Sequence, residues 1–375
     1  MKCIFRLSVM LCILLLVSCD KPKSPEEIYE TQKSGVVLVC NEFYYEIVLP
    51  NGESIYFEGL DNGKFVGLTG ELDEIEKKPN RLNGTGFFID ENGNILTNRH
   101  VVAPEVDKAT VRQNMNAIME YYAFIIEQLQ ENMDEKYSEL QNIADNSLYE
   151  DEYGNVYTSM SNNEINSLKE QISQLREEYQ KAEEYKQNLR NNLLSENFTI
   201  KLHSKFGVAY DKDMVAEWSD LMKNPCKLLR QSADEGTDLA LLCLESGKTP
   251  EGKYIFKIEE ETAREDGKLT IDQKLYMIGY NQGVFLANTT HGISAQLTSG
   301  TVTQTPDDKK VMYSIPTMQG SSGAPVVNEH GQVVAVNFAK AKGSDNFNFG
   351  IPMDRILLFF EVKSDDCISL KKVDS

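Results

Sequence analysis

The sequence predicts a mainly β protein interrupted by one long helical insertion, and three observations carry that prediction. Short β-branched or alternating runs recur from Gly35 to about residue 106 and again from 198 onward, bounded by Gly, Asn and Pro turn clusters. Between about 107 and 197, Gly and Pro almost vanish and charged residues, Gln and Asn dominate. The 375 residues are 41% hydrophobic and 26% charged, which fits a folded protein and excludes a disordered, collagen-like or multi-span membrane chain.

The chain opens on a targeting pattern. Lys2 and Arg6 flank the start of an apolar run over 7–17, shorter than the roughly 20 residues a spanning helix needs. Leu16-Val17-Ser18-Cys19 closes that run and resembles the lipobox of bacterial lipoproteins. The resemblance implies cleavage before Cys19 and acylation of its thiol; several acyl chains anchor stably where one binds only reversibly. Residues 1–18 are then a signal peptide and 19–34, polar and Pro-containing, a lipidated tether. The expected location is the bacterial cell envelope, on the periplasmic side or the outer surface of a membrane.

From Gly35 the pattern turns to strands. Residues 36–39 form one β-branched run; 44–49 and 54–57 flank Pro50-Asn51-Gly52-Glu53, a hairpin signal through its Asn-Gly. Residues 84–90 and 94–97 are two further strands joined by Glu91-Asn92-Gly93. This stretch, 35–106, is the first part of an N-terminal β unit.

The insertion over 107–197 carries helical periodicity. Ile165, Leu168, Ile172, Leu175, Tyr179 and Ala182 alternate spacings of three and four, the seam of a coiled coil, which Lys186 interrupts and Leu189 and Leu193 resume. Met115, Ile118, Tyr122, Ile125, Leu129 and Met133 keep the same rhythm upstream, loosening towards Leu140. The turn cluster Asp151-Glu152-Tyr153-Gly154-Asn155 separates the two stretches. An antiparallel α-helical hairpin is the simplest arrangement. It serves either as a spacer or cap, or as a surface for a protein partner, self-association or restricted access.

Strand signals return at 198–202, 226–230, 238–244, 274–278, 302–305, 311–315, 325–327 and 333–338. Many short strands with turn clusters predict a barrel or a sandwich. Residues 198–250 complete the N-terminal β unit, 251–363 form a C-terminal one, and 364–375 are a tail.

Charge and cysteine narrow the function. Lys plus Arg number 38 against 58 for Asp plus Glu, a net charge of −20 that repels phosphate backbones and makes nucleic acid an unsuitable partner. Past Cys19, the cysteines Cys40, Cys226, Cys243 and Cys367 are widely spaced with no C-x-x-C pair, so no zinc site is expected. Cys243, inside an apolar run, reads as a buried thiol.

Three segments carry chemistry: Thr97-Asn98-Arg99-His100-Val101-Val102 after a strand, Thr237-Asp238-Leu239-Ala240-Leu241-Leu242, and Gly320-Ser321-Ser322-Gly323-Ala324-Pro325. Acyl transfer at neutral pH needs a nucleophile, a base to take its proton and a carboxylate to orient the base. The chain supplies His, Asp and Ser in that order. These segments, with Gly84-Thr85-Gly86-Phe87, resemble the motifs of trypsin-like (chymotrypsin-fold) serine peptidases, nearest the bacterial HtrA/DegP-type branch. Asn281-Gln282-Gly283, Ser299-Gly300-Thr301-Val302 and Phe349-Gly350-Ile351-Pro352 also match that pattern.

The resemblance implies a double β-barrel carrying the inserted hairpin, with His100 as general base, Asp238 as its orienting carboxylate and Ser322 as nucleophile. It implies an oxyanion hole from the N–H groups of Gly320 and Ser322, and no metal or cofactor. Ser321 stands where trypsin places the Asp that pairs with a freed N-terminus. No zymogen cleavage is therefore expected, and other contacts or an arriving ligand must order the loop. Position relative to Ser322 in the resemblance places a pocket at Pro316, Asn337 and Ala339, without a carboxylate, favouring small or medium apolar side chains over Arg or Lys. The branch's usual PDZ domain is not expected in the dozen or so residues after Val362. Two functions fit: a membrane-tethered serine endopeptidase acting on proteins or peptides of the envelope, or a non-enzymatic peptidase-like module whose hairpin recruits a partner.

Overall fold

The computed structural model describes residues 21–234, 236–259, 268–340 and 347–361. The signal segment, Cys19, Glu235, Cys367 and the tail lie outside the described residues. The chain forms two units. The first comprises the described parts of Met1–Phe43, Arg81–Glu105 and Ser204–Ser375, and the second comprises Tyr44–Asn80 and Val106–His203.

Two curled sheets dominate the first unit. One is built from β1 (Val36–Val48), β2 (Asn80–Phe88), β3 (Asn94–Thr97), β4 (Thr199–Tyr210), β5 (Asn224–Gln231) and β6 (Ala240–Leu244); β1 and β4 each continue into the second unit, where Ser54–Phe57 pairs with the end of β1 as the predicted hairpin. Their order is β1-β2-β3-β6-β5-β4, and β1 also pairs with β4, so the ring closes. The other sheet uses β7 (Lys274–Gly279), β8 (Gln296–Thr301), β9 (Val311–Tyr313), β10 (Pro325–Val327), β11 (Val333–Lys340) and β12 (Asn348–Pro352) in the order β8-β7-β10-β11-β12-β9. A bridge between Val302 and Tyr313 draws its free ends together. Each sheet thus follows one plan, first-second-third-sixth-fifth-fourth. A barrel, rather than the sandwich the sequence left open, removes the exposed strand edges.

Burial explains where the strands differ from expectation. The runs 36–39 and 44–49 are one strand, β1, because both of its faces are covered. Val37 and Val39 fill the first barrel with Phe88, Ile95, Val208 and Leu242. Val36, Leu38 and Cys40 point the other way, into a cluster shared with Tyr276, Ile278, Tyr280 and Val336 of the second barrel, as the period of two requires. The strand expected at 302–305 lies earlier, at 296–301, and Val302 only bridges.

The tether expected through residue 34 gives way to a helix, α1 (Pro25–Gln32), opened by a Ser24–Glu27 capping box. Ile28 is 1% exposed within the shared core, and Gln32 Nε2 donates to Gly331 O at 2.6 Å. An apolar residue and an amide used this way anchor residues 24–32 to the barrels.

The second unit contains the expected helical hairpin: α2 (Lys108–Asn146), about 60 Å long at 1.5 Å per residue, and α3 (Asn162–Asn191). Asp107 caps α2, a Ser161–Glu164 capping box opens α3, and two three-residue strands, Leu148–Glu150 and Val156–Thr158, form the tip.

The seam on α2 departs from the predicted one. Met115, Met119, Ala123, Gln130 and Leu140 are buried, whereas Tyr122, Ile125 and Leu129 are exposed. The helix carries two adjacent apolar stripes, and periodicity alone cannot choose between them. Lys186 does not interrupt the α3 seam; it is buried within it, its ammonium donating to Gln130 Oε1 at 2.7 Å and pairing with Glu183 at 2.6 Å. Hydrogen bonds from Gln187, Lys186 and Gln130 hold the Glu183 carboxyl down at about 2. Among the described residues, no helix is long and apolar enough to cross a membrane.

Candidate active site

His100 lies on a short helix, Arg99–Val102, that leaves the end of β3. Val101 and Val102 anchor this turn in the first barrel's core. Asn41 of β1 holds its carboxyl end, donating from Nδ2 to Val101 O at 3.0 Å and Val102 O at 3.3 Å. The side chain of His100 stays 44% exposed, that of Asp238 18%.

Asp238 stands just before β6, whose pairing of Ala240 with Thr97 sets the two segments side by side. Its Oδ1 accepts from the His100 backbone N–H at 2.9 Å, and its Oδ2 meets His100 Nδ1 at 2.5 Å. A carboxylate only accepts, so Nδ1 carries the proton and the neutral ring keeps its lone pair on Nε2. Asn98 adds a brace, donating from Nδ2 to Asp238 O at 2.8 Å. Asp234 shapes the preceding loop, accepting from Thr237 Oγ1 at 2.8 Å and Gly236 N at 3.0 Å, and the Thr237 bond leads the effects that lower its carboxyl pKa.

Ser322 occupies the turn before β10, half-buried. Its carbonyl accepts from Thr85 N at 2.7 Å. The next residue, Gly323, has φ +89°, and a Cβ there would lie 2.1 Å from Thr85 O and 3.1 Å from the backbone nitrogen of Asn98. Only glycine fits this approach. The Ser322 turn therefore abuts the strand end from which His100 springs. Among the described residues, no hydrogen bond joins Ser322 Oγ to the His100 ring.

The Gly320 turn is tied on several sides. Thr85 Oγ1 donates to Gly320 O at 2.7 Å, Gln282 N donates to Gln319 O at 2.6 Å, and Met318 N donates to Asn281 Oδ1 at 3.1 Å. The peptide before Gly320 is trans, so with its carbonyl committed to Gln282 the Gly320 N–H faces the opposite side. Neither that N–H nor the one of Ser322 has an acceptor among the described residues. Two free backbone donors flanking a serine can stabilise a developing oxyanion.

A groove of about 470 Å³ opens beside Ser322, lined by Gln282, Thr317, Met318, Asn337 and Phe338 among others, none of them charged. Of the three expected pocket residues, Asn337 lines it. Pro316 is exposed and not part of its wall. Ala339 pairs with Phe349 through the backbone, and its side chain lies outside the described residues. Thr317, one residue along from Pro316, lines the groove instead.

Of the other histidines, His203 belongs to a separate cluster with Glu46, and His330 sits half-buried in its turn. Cys40, Cys226 and Cys243 are buried free thiols, and burial pushes the Cys226 thiol up to about 12. Sequence reasoning missed the part played by Thr85, although Gly84-Thr85-Gly86 stood within a recognised motif. It also missed Tyr313, for which no sequence signal exists.

Residues 203–336, which include Asp238 and Ser322, match the family model of the trypsin-like peptidase domain. No curated protein sequence matches the chain. Among solved structures, the chain is similar to the serine endoprotease from Yersinia pestis, at 13% identity and a TM-score of 0.42, covering 91% of this chain and 66% of that one.

Proposed function

We propose that this protein is a serine endopeptidase in which Ser322 attacks a peptide carbonyl and His100 takes its proton on Nε2. Asp238 holds the imidazole in the tautomer that allows this, and the N–H groups of Gly320 and Ser322 receive the oxyanion. His100 then returns the proton to the leaving amine, and water releases the acyl-enzyme. The carrying observation is the double grip of Asp238 on His100, ring and backbone together, within a chain whose residues 203–336 match a peptidase domain.

The uncharged groove supports substrates with neutral, apolar side chains at the scissile bond, because an Arg or Lys head group would be desolvated there without a counter-charge. Acylation at Cys19 would hold the enzyme at a membrane of the cell envelope, where exported proteins and peptides are its substrates. The helical hairpin is the element suited to recruit a protein partner.

The test is labelling of the full chain by a fluorophosphonate probe, with Ser322→Ala as control, followed by peptide cleavage. Labelling lost in Ser322→Ala, with Val or Ala peptides cut in preference to Arg peptides, is expected. A folded wild type that takes no label would instead favour a binding module.

A further inference from the structure

We propose that Tyr313 and Asn337 are positioning residues for oxyanion stabilisation, acting through Ser321 as a neutral relay that fixes the angle between the Gly320 and Ser322 N–H groups. The inference rests on the peptidase reading above.

Ser321 is the residue between the two donors, so its backbone torsions set how they converge. It is 1% exposed, Asn337 2% and Tyr313 0%. The Tyr313 hydroxyl donates to Asn337 Oδ1 at 2.8 Å. Asn337 Nδ2 then donates to Ser321 O at 3.0 Å and to Ser321 Oγ at 3.2 Å, while Ser321 Oγ donates to Met318 O at 2.7 Å. The Asn337 backbone joins in, its N–H donating to Ala324 O at 2.9 Å and its carbonyl accepting from Gly323 N at 2.8 Å. Strand β11 thereby grips the nucleophile turn at Ser321, Gly323 and Ala324.

The direction of every bond is fixed. Ser321 O can only accept, so the amide nitrogen of Asn337 faces it and the amide oxygen is left for the tyrosine. No member is charged, and burial raises the Tyr313 hydroxyl pKa well above its ordinary value. The relay therefore holds the turn without an ion pair, and needs neither a freed amine nor a bound ligand. This supplies the ordering contact that a serine at position 321 left open in the sequence.

The experiment uses the full chain and two inhibitors of one peptide sequence, an aldehyde and the matching alcohol. The aldehyde carbon accepts the Ser322 oxygen, the hydroxyl proton passes to His100, and the carbonyl electrons become an oxyanion in the hole. The alcohol binds the same groove with no oxyanion. In Tyr313→Phe, loss of one hydrogen bond should lower kcat about tenfold and weaken the aldehyde by a similar factor, with KM and alcohol affinity unchanged. Asn337→Asp, which turns an acceptor towards Ser321 O, should weaken the aldehyde more strongly still; because Asn337 also lines the groove, the comparison with the alcohol is read from Tyr313→Phe. Equal changes for aldehyde and alcohol in Tyr313→Phe, or wild-type aldehyde affinity in both variants, would overturn the proposal. A folded wild type that neither cleaves peptides nor binds the aldehyde more tightly than the alcohol sinks the peptidase reading itself, and the relay's role with it.

Discussion

Thr85 and Gly320, 235 positions apart in the chain, are joined by a 2.7 Å hydrogen bond from the threonine hydroxyl to the glycine carbonyl. The same hydroxyl accepts from Tyr280 N at 3.0 Å, and the Thr85 backbone donates to Ser322 O at 2.7 Å and accepts from Thr97 Oγ1 at 2.7 Å. One fully buried residue of the first barrel thus touches both Gly320 and Ser322 and the strand end from which the His100 turn leaves.

Replacing Thr85 with Val keeps the shape and deletes the hydroxyl, leaving Gly320 O and Tyr280 N without that partner. Stability should fall by about 1–3 kcal/mol, and kcat by at least tenfold with a smaller change in KM. Thermal unfolding and steady-state kinetics on one preparation check both. Wild-type kcat in Thr85→Val would remove this residue from the account of the site.

Gly323→Ala should be far more damaging. An added methyl would sit 2.1 Å from Thr85 O and 2.6 Å from Thr97 Oγ1, on a backbone with φ +89°. Either contact displaces the turn, and a misplacement near 1 Å costs about 100-fold in rate. Fluorophosphonate labelling should drop at least that far. Labelling at the wild-type rate would mean that the turn has room the structure does not show.

In the hairpin, Lys186→Met should be tolerated. The lysine side chain is 11% exposed and its partner Glu183 39%, so the freed carboxylate can turn to water. Removing one member of an ion pair is costly when the other stays buried and charged, a penalty that the outward turn of Glu183 avoids. We expect unfolding free energy within about 1 kcal/mol of wild type, or higher, by chemical denaturation. A clear loss beyond that range would show that the polar cluster contributes more than it costs.

Glu46, whose side chain is 11% exposed, accepts from Ser54 Oγ at 2.7 Å and Lys201 Nζ at 3.1 Å and meets His203 Nε2 at 2.7 Å. Burial alone would raise its carboxyl pKa; the bonds from Ser54, His203 and Lys201 outweigh that and hold it below the usual value. A pKa lowered by folding adds stability above the unfolded value of about 4.3, and that stability is lost as pH falls through the folded value. The excess stability of wild type over Glu46→Gln should therefore be full at pH 6 and shrink below about pH 4. Thermal midpoints across that range measure it, and a constant gap would contradict the assignment.

The segments bearing His100, Asp238 and Ser322 were legible in the sequence because each needs residue types that local chemistry fixes: a strand end, an acid before an apolar run, a serine between turn-forming glycines. The helical hairpin was equally legible, since a stretch with hardly any Gly or Pro and regular apolar spacing has few other folds open to it. What tertiary structure decided was everything set by partners distant in the chain. It chose the buried stripe of α2, drew Lys186 into the seam, seated residues 24–32 against the barrels and lined the groove with Thr317 instead of Pro316. Above all it placed Thr85, Tyr313 and Asn337 around the Ser322 turn. A hydrogen bond between residues far apart leaves no local pattern in either one, so only the packing of strands against each other can reveal it.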